Sequence, residues 1–280
     1  MLRKLIAYDF RCVRKTALLL FALSLGVALV ATTLWALTFG ALPEMAFSED
    51  VGIGEILLFM AGMFGGFFAT IGALVSASAV IFVIGIHYYK KFVSDEAYLT
   101  FTLPATPGQH LASKLITGGI WMTASFIVLI VEMIMIFVPL ISLMMKAEGM
   151  GADVDVDMGS AFFPKEHAGA LIAMIIGYLF TGLAATANQI ALLYFSLTMG
   201  GIVVSKYKAL AGVGIYFVAE FVIESIVQGI IAVLNVAGML TMGDLALTLL
   251  PYISVLIYGA FATGFILFNK HLLTHKLNLS

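Results

Sequence analysis

Long uncharged runs separated by short polar ones organise the chain. Lys15 and Glu44 bracket 28 residues free of Asp, Glu, Lys and Arg, and residues 56–86 add 31 more. Residues 115–145 hold one such charge, Glu132, and 168–205 hold none. Residues 209–243 hold two, Glu220 and Glu224, and 245–269 again hold none. About 20 apolar residues cross a bilayer as a helix, so each run suffices for one span. The pattern predicts six spans, at about 16–41, 56–86, 115–145, 168–200, 209–234 and 245–269. Two runs exceed the need, and the pairs Gly65, Gly66 and Gly200, Gly201 are natural places for a break. The stretch 235–244 is compatible with a re-entrant piece.

Residues 1–15 follow a different pattern. Leu2, Leu5, Ile6, Phe10, Val13 and Ala17 fall near helical spacing, with Arg3, Lys4, Arg11, Arg14 and Lys15 elsewhere around the wheel. This predicts an amphipathic helix lying on the membrane, its basic face towards anionic headgroups. A cleaved signal peptide fits less well, because 15 mixed residues precede a run longer than the roughly 7–15 residues of a signal core. A retained anchor is expected.

Composition agrees with the pattern. Apolar residues make up 62% and charged residues 11%, against roughly 45–50% and about 25% in soluble proteins. Mean hydropathy is +1.11. Such a chain cannot cover a water-facing surface, so lipid is expected as its main solvent. A net charge of −2 argues against nucleic acid as a partner. The single cysteine, Cys12, excludes an internal disulfide and a Cys-built metal site.

Charge distribution sets an expected orientation. Twelve of the 14 basic residues flank one side of the spans: Arg3, Lys4, Arg11, Arg14, Lys15, Lys90, Lys91, Lys114, Lys206, Lys208, Lys270 and Lys276. Lys146 and Lys165 alone lie on the other side, among nine acids. With an even number of spans, both termini are expected in the cytoplasm. The fold class is therefore an all-α integral membrane protein of six transmembrane helices, with an N-terminal amphipathic interfacial helix and both ends inside.

Two segments remain for water. One is the acidic external loop at 146–167, whose Asp153, Asp155 and Asp157 lack the Gly and closing Glu of a calcium loop. A solvated loop is the expectation there. The other is cytoplasmic, at 87–114. No phosphate loop, G-x-S-x-G elbow or H-E-x-x-H pair occurs in the chain. The five histidines lie at or beyond span edges, as interfacial polar residues do.

The cytoplasmic segment reads HYYKKFVSDEAYLTFTLPATPGQHLASK. Phe92, Val93, Tyr98, Leu99, Phe101, Leu103 and Leu111 lie among its polar residues. Ser94, Asp95 and Glu96 suit a helix start, and Pro104 and Pro107 interrupt the chain before the next helix begins near Gln109. A short, partly apolar, capped piece between two spans suits docking into a groove of another protein. The plainer alternative is an interfacial elbow that packs its aromatics against lipid.

The stretch SDEAYLTFTLPATPGQHLASKLI, following a span that ends HYYKKF, resembles the loop between spans two and three of bacterial ABC-2 type transporter permeases. About 25 residues carry the resemblance at motif level, and the layout of the whole chain agrees with it. The resemblance implies that this loop is the coupling helix, seated in a separately encoded ATP-binding subunit. Its matching residues are Asp95, Glu96, Ala97, Tyr98, Leu99, Thr100, Leu103 and Pro104. Residues 2–15 would be the connecting helix beside that subunit. ATP and Mg would be bound by the partner, so no cofactor and no catalytic residue are expected in this chain. A second permease subunit, identical or paralogous, would complete the pathway in the bacterial cytoplasmic membrane. Peptide or antimicrobial efflux is common in the group.

Polar groups inside the spans each need a reason, since a mid-span acid costs on the order of 2.5–3.5 kcal/mol on insertion scales. Glu220, Glu224 and Gln228 recur every four residues and share one helix face. Glu132 and Asn188, beside Gln189, lie near the middles of spans three and four. Glu220, Glu224, Gln228, Glu132 and Asn188 are candidates for a translocation path. Interhelical hydrogen bonding is the alternative, favoured for Glu132, Asn188 and Gln189. Gly62 and Gly66 form a G-x-x-x-G pair, explained equally by packing within the chain or by dimerisation. Trp35, Tyr252, Tyr88 and Tyr89 are expected as interfacial anchors. The rival functional classes are an ATP-independent proton-coupled carrier using Glu220 and Glu224, and a membrane scaffold or immunity protein.

Overall fold

The computed structural model describes residues 2–47, 52–94, 106–149, 168–241 and 244–275. They form α1 (Leu2–Phe47), α2 (Ile53–Ser78), α3 (Val80–Phe92), α4 (Pro107–Gly149), α5 (Ala168–Val203), α6 (Lys208–Thr241) and α7 (Asp244–His275). With α2 and α3 read together as Ile53–Phe92, six helices are long and apolar enough to cross a membrane. At most 28% of the apolar window of any of them is buried. Large apolar side chains such as Leu37, Leu58, Phe68, Phe221 and Leu256 are exposed all along them. Lipid, not protein, is the solvent such surfaces require. The chain is an all-α, multi-pass membrane protein.

Helix α1 shows how the N-terminal pattern is used. Asp9, Val13, Ala17, Phe21, Ser24, Ala28 and Ala31 are buried at steps of three and four, a single stripe that crosses residue 15 without a break. Arg3, Lys4, Arg11, Arg14 and Lys15 are exposed. The amphipathic segment and the first span are thus one continuous 46-residue helix.

Residues 16–80 and 124–164 make one compact unit. In it α1 and α2 approach closely at glycines. A Cβ on Gly66 would lie 3.0 Å from the Trp35 ring, and one on Gly62 would run into the Thr38 hydroxyl. Trp35 Nε1 donates to Thr70 Oγ1 at 3.0 Å, and that hydroxyl donates to the Gly66 carbonyl at 2.8 Å. Packing within the chain therefore accounts for the G-x-x-x-G pair, and Trp35 of α1 packs against α2. The helix does not break at Gly65 and Gly66. Its interruption is a single residue, Ala79, just beyond a point where Ser125 Oγ donates to the Ala77 carbonyl at 2.6 Å. A side chain inserted into the carbonyl ladder is a recognised cause of such a break.

Residues 1–15, 81–123 and 165–280 make the second unit, where α5, α6 and α7 pack on one another. Gly200 does not end α5, which runs on to Val203. A Cβ on Gly200 would collide with the backbone of Gly212, and one on Gly212 would come within 2.9 Å of Leu197 Cα. The two glycines let α5 and α6 cross almost backbone to backbone. Residues 204–207 then connect them, with Tyr207 in the left-handed region at φ 58°. Near the other end of α5, Gly177 makes room for Pro251 of α7, and Thr181 Oγ1 donates to the Pro251 carbonyl at 2.7 Å.

Gly200→Ala is expected to lower the stability of the purified protein by about 1–3 kcal/mol, because backbone cannot yield to the added methyl. Gly229→Ala, where an added Cβ meets nothing within 4 Å, is expected to be neutral or to stabilise by about 0.5–1 kcal/mol. Unfolding in mixed micelles with increasing SDS compares the two.

Candidate functional site

The eight residues that the resemblance assigns to the coupling helix, Asp95, Glu96, Ala97, Tyr98, Leu99, Thr100, Leu103 and Pro104, lie outside the described residues. The frame on either side of them is described, and it is built from several independent contacts. On the incoming side, Val93 N–H and Ser94 N–H both donate to the Tyr89 carbonyl, and Ser94 Oγ donates to Lys90 O at 2.6 Å, closing α3. On the outgoing side, Thr106 and Gln109 cap α4 reciprocally. Gln109 N–H donates to Thr106 Oγ1, and Thr106 N–H donates to Gln109 Oε1, both at 3.3 Å. This is a capping box with Pro107 at the first helical position, where a missing N–H costs nothing.

A buried polar cluster joins both sides to α1. Asp9 and Lys114 are 4% and 5% exposed, and Ser113 is buried beside them. Lys114 Nζ donates to Asp9 Oδ1 at 2.5 Å, and Ser113 Oγ donates to Asp9 Oδ2 at 2.7 Å. His87 Nε2 lies 3.2 Å from Asp9 Oδ1 and 2.8 Å from Lys114 Nζ. Both carboxylate oxygens are thus engaged, by side chains from α3 and α4, in charge-assisted bonds stronger than neutral ones. His87 is half-buried in this cluster, not simply an interfacial histidine.

Aromatic packing fixes the incoming side a second time. Tyr88 is fully buried, stacked at 4.8 Å on Phe92 and at 4.1 Å on Tyr194 of α5. Its hydroxyl lies 2.8 Å from Thr198 Oγ1 and accepts from Asn269 Nδ2 of α7 at 3.3 Å. Tyr88 is therefore a core residue and not an interfacial anchor, because α5 and α7 converge on its ring and hydroxyl. Tyr194 in turn donates to the Lys114 carbonyl at 3.1 Å, across the space left by Gly118. Phe10 stacks on Trp121 at 4.8 Å, giving α1 and α4 an apolar contact as well.

The intramembrane polar residues are brought together only in part. Tyr258 of α7 donates to both carboxylate oxygens of Glu224, at 3.0 and 3.1 Å. Gln189 Nε2 of α5 donates to Glu220 Oε1 at 3.4 Å. Glu220 and Glu224 thus share a face of α6 with buried Tyr216, Ile223 and Val227, while Gln228 is exposed. Asn188 is buried, and neither amide atom finds a hydrogen-bond partner among the described residues. Glu132, in the other unit, is likewise buried, with the Ser24 hydroxyl of α1 as its polar neighbour. Asn188 makes no interhelical hydrogen bond among the described residues, whereas Gln189 makes one. Tyr252 Oη donates to Ala173 O at 2.8 Å, tying α7 to α5.

Sequence reasoning passed over Asp9 and treated Lys114 as one more basic flank. The available signal was the lone acid in residues 1–43, set among five basic residues on a helix whose neighbouring apolar positions are buried. No protein-family model, curated protein or solved structure matches this chain.

Tyr258→Phe removes the donor to Glu224 and is expected to cost about 1 kcal/mol, the usual scale for such bonds between membrane helices. Asn188→Leu is expected to be neutral or stabilising, because an unpaired buried amide is replaced by a side chain of similar volume. Both are read as shifts in SDS unfolding of the purified protein.

Proposed function

We propose that the chain is the membrane-spanning permease subunit of an ATP-binding cassette exporter. Residues 95–104 dock into a separate ATP-hydrolysing subunit. A second permease subunit completes the pathway, and the protein resides in the bacterial cytoplasmic membrane with both termini inside. The observation that carries this reading is the motif of residues 94–116 set in a rigid frame: both helices that flank it are fixed to α1 by Asp9, and α3 also to α5 and α7 by Tyr88. A loop that only tethers two spans needs no such frame, whereas one that transmits force does.

In this mechanism the partner binds and hydrolyses ATP, and closure of its two copies pushes on residues 95–104. Binding energy gained at the partner supplies the population shift between inward- and outward-open states, so the permease needs no catalytic group of its own. A rigid lever beneath α3 and α4 converts that push into tilt of the second and third spans. Glu220 and Glu224 offer the pathway two carboxylates, each already oriented by a neighbour, which suits a substrate with cationic character such as a basic peptide. Interspersed basic flanks support the inward placement of the motif.

The tagged chain, purified from its native membrane in a mild detergent, is expected to bring an ATPase subunit with it. The Asp95→Lys, Leu103→Asp double variant is expected to lose that subunit while keeping its own unfolding profile. Absence of any ATPase from the wild-type preparation would overturn the reading and direct attention to Glu220 and Glu224 as working groups of an ATP-independent carrier.

A further inference from the structure

We propose that Asp9 is a positioning residue, a charged clasp that sets the ends of α3 and α4 against the first turns of α1 and so transmits motion between them. The inference rests on the permease reading for its functional consequence, but its structural content stands apart from it. Asp9 is the only acid in the first 43 residues. The basic residues of that helix end are exposed, while Asp9 is buried, so solubility and headgroup attraction do not explain it. Its two oxygens serve three side chains on two other helices. His87 stands 8 residues before Asp95, and Lys114 stands 9 after Ala105, so one carboxylate holds both flanks of the intervening segment.

A purely structural role predicts a different sequence. Buried ion pairs are commonly replaced by well-packed apolar residues at no loss of stability. Phe10 against Trp121 already supplies apolar contact between α1 and α4. What the charged cluster adds is direction and discreteness. A carboxylate with both oxygens engaged holds its partners in one geometry, and it releases them together when one is displaced. That is the behaviour required of a joint that must be stiff in each of two states.

The test uses the single native cysteine, Cys12, which is exposed on α1, with a second spin label at Ser94→Cys at the end of α3. In nanodiscs the otherwise unaltered chain is expected to give one narrow Cys12–Ser94 distance distribution by double electron–electron resonance. Asp9→Leu with Lys114→Met, which removes the charges together and avoids a buried unpaired ion, is expected to broaden it while the SDS unfolding midpoint stays close to that of the parent. The exchanged pair, Asp9→Lys with Lys114→Asp, is expected to narrow it again. In the complex with the co-purified ATPase, the apolar double variant is expected to retain the partner yet lose ATPase activity by about tenfold. An unchanged narrow distribution in the apolar variant would overturn the inference. A broadened distribution in a chain with no ATPase partner would uphold the clasp and reject the permease reading. Broadening with undiminished ATPase activity would overturn the transmission claim.

Discussion

A carboxylate enclosed by three helices has to be paired, and the pairing of Asp9 dictates much of the surrounding arrangement. Stripped of partners, a buried ion costs several kcal/mol even after relaxation. Lys114 supplies the opposite charge, Ser113 the second donor and His87 the third neighbour. Because these come from α3 and α4, the first turns of α1 cannot be placed independently of either. The basic residues around Asp9 point outward and are free to meet headgroups, leaving the single acid as the group that organises the interior.

The remaining ties serve the same region by other physics. The Phe92–Tyr88–Tyr194 stack and the hydroxyl bonds of Tyr88 to Thr198 and Asn269 extend the frame from α3 into α5 and α7. Gly118 gives α4 room against Tyr194 of α5, and Gly200 and Gly212 let α5 and α6 cross closely. Apolar burial contributes little direction in a membrane, where lipid tails compete with leucine on equal terms. Polar contacts and close backbone approach therefore carry the specificity, and several of them frame the segment proposed to meet the partner. The carboxylates of α6 follow the same rule, each held by a donor from a neighbouring helix.

The six membrane-length helices were legible because uncharged length is a direct physical requirement for crossing lipid, independent of any tertiary contact. Spacing by four also placed Glu220 and Glu224 on one face. It did not reveal that Tyr258 and Gln189 would serve them, or that Gln228 would turn outward, since those depend on which helices become neighbours. Tyr88 looked like an anchor because it lies at a span edge, yet it is fully buried against α5 and α7. Asp9 was the hardest to see. Its partners are 78, 104 and 105 positions away, and the surrounding basic residues gave the whole segment the look of a surface helix. Glycine pairs suggested helix breaks, but at 62, 66 and 200 the missing side chain admits a neighbouring helix, while the helix is interrupted at Ala79. The coupling motif itself lies outside the described residues, so its frame, not its conformation, is what geometry contributes.

The most direct test of this account is a double-mutant cycle between Asp9 and Lys114, using Asp9→Asn, Lys114→Met and their combination, with unfolding free energy measured in SDS micelles. If the buried pair organises the junction of α1, α3 and α4, the interaction energy is expected to be about 2–3 kcal/mol, the upper part of the range for contacting residues. A value of about 0.5 kcal/mol or less, the level of an exposed ion pair, would contradict it.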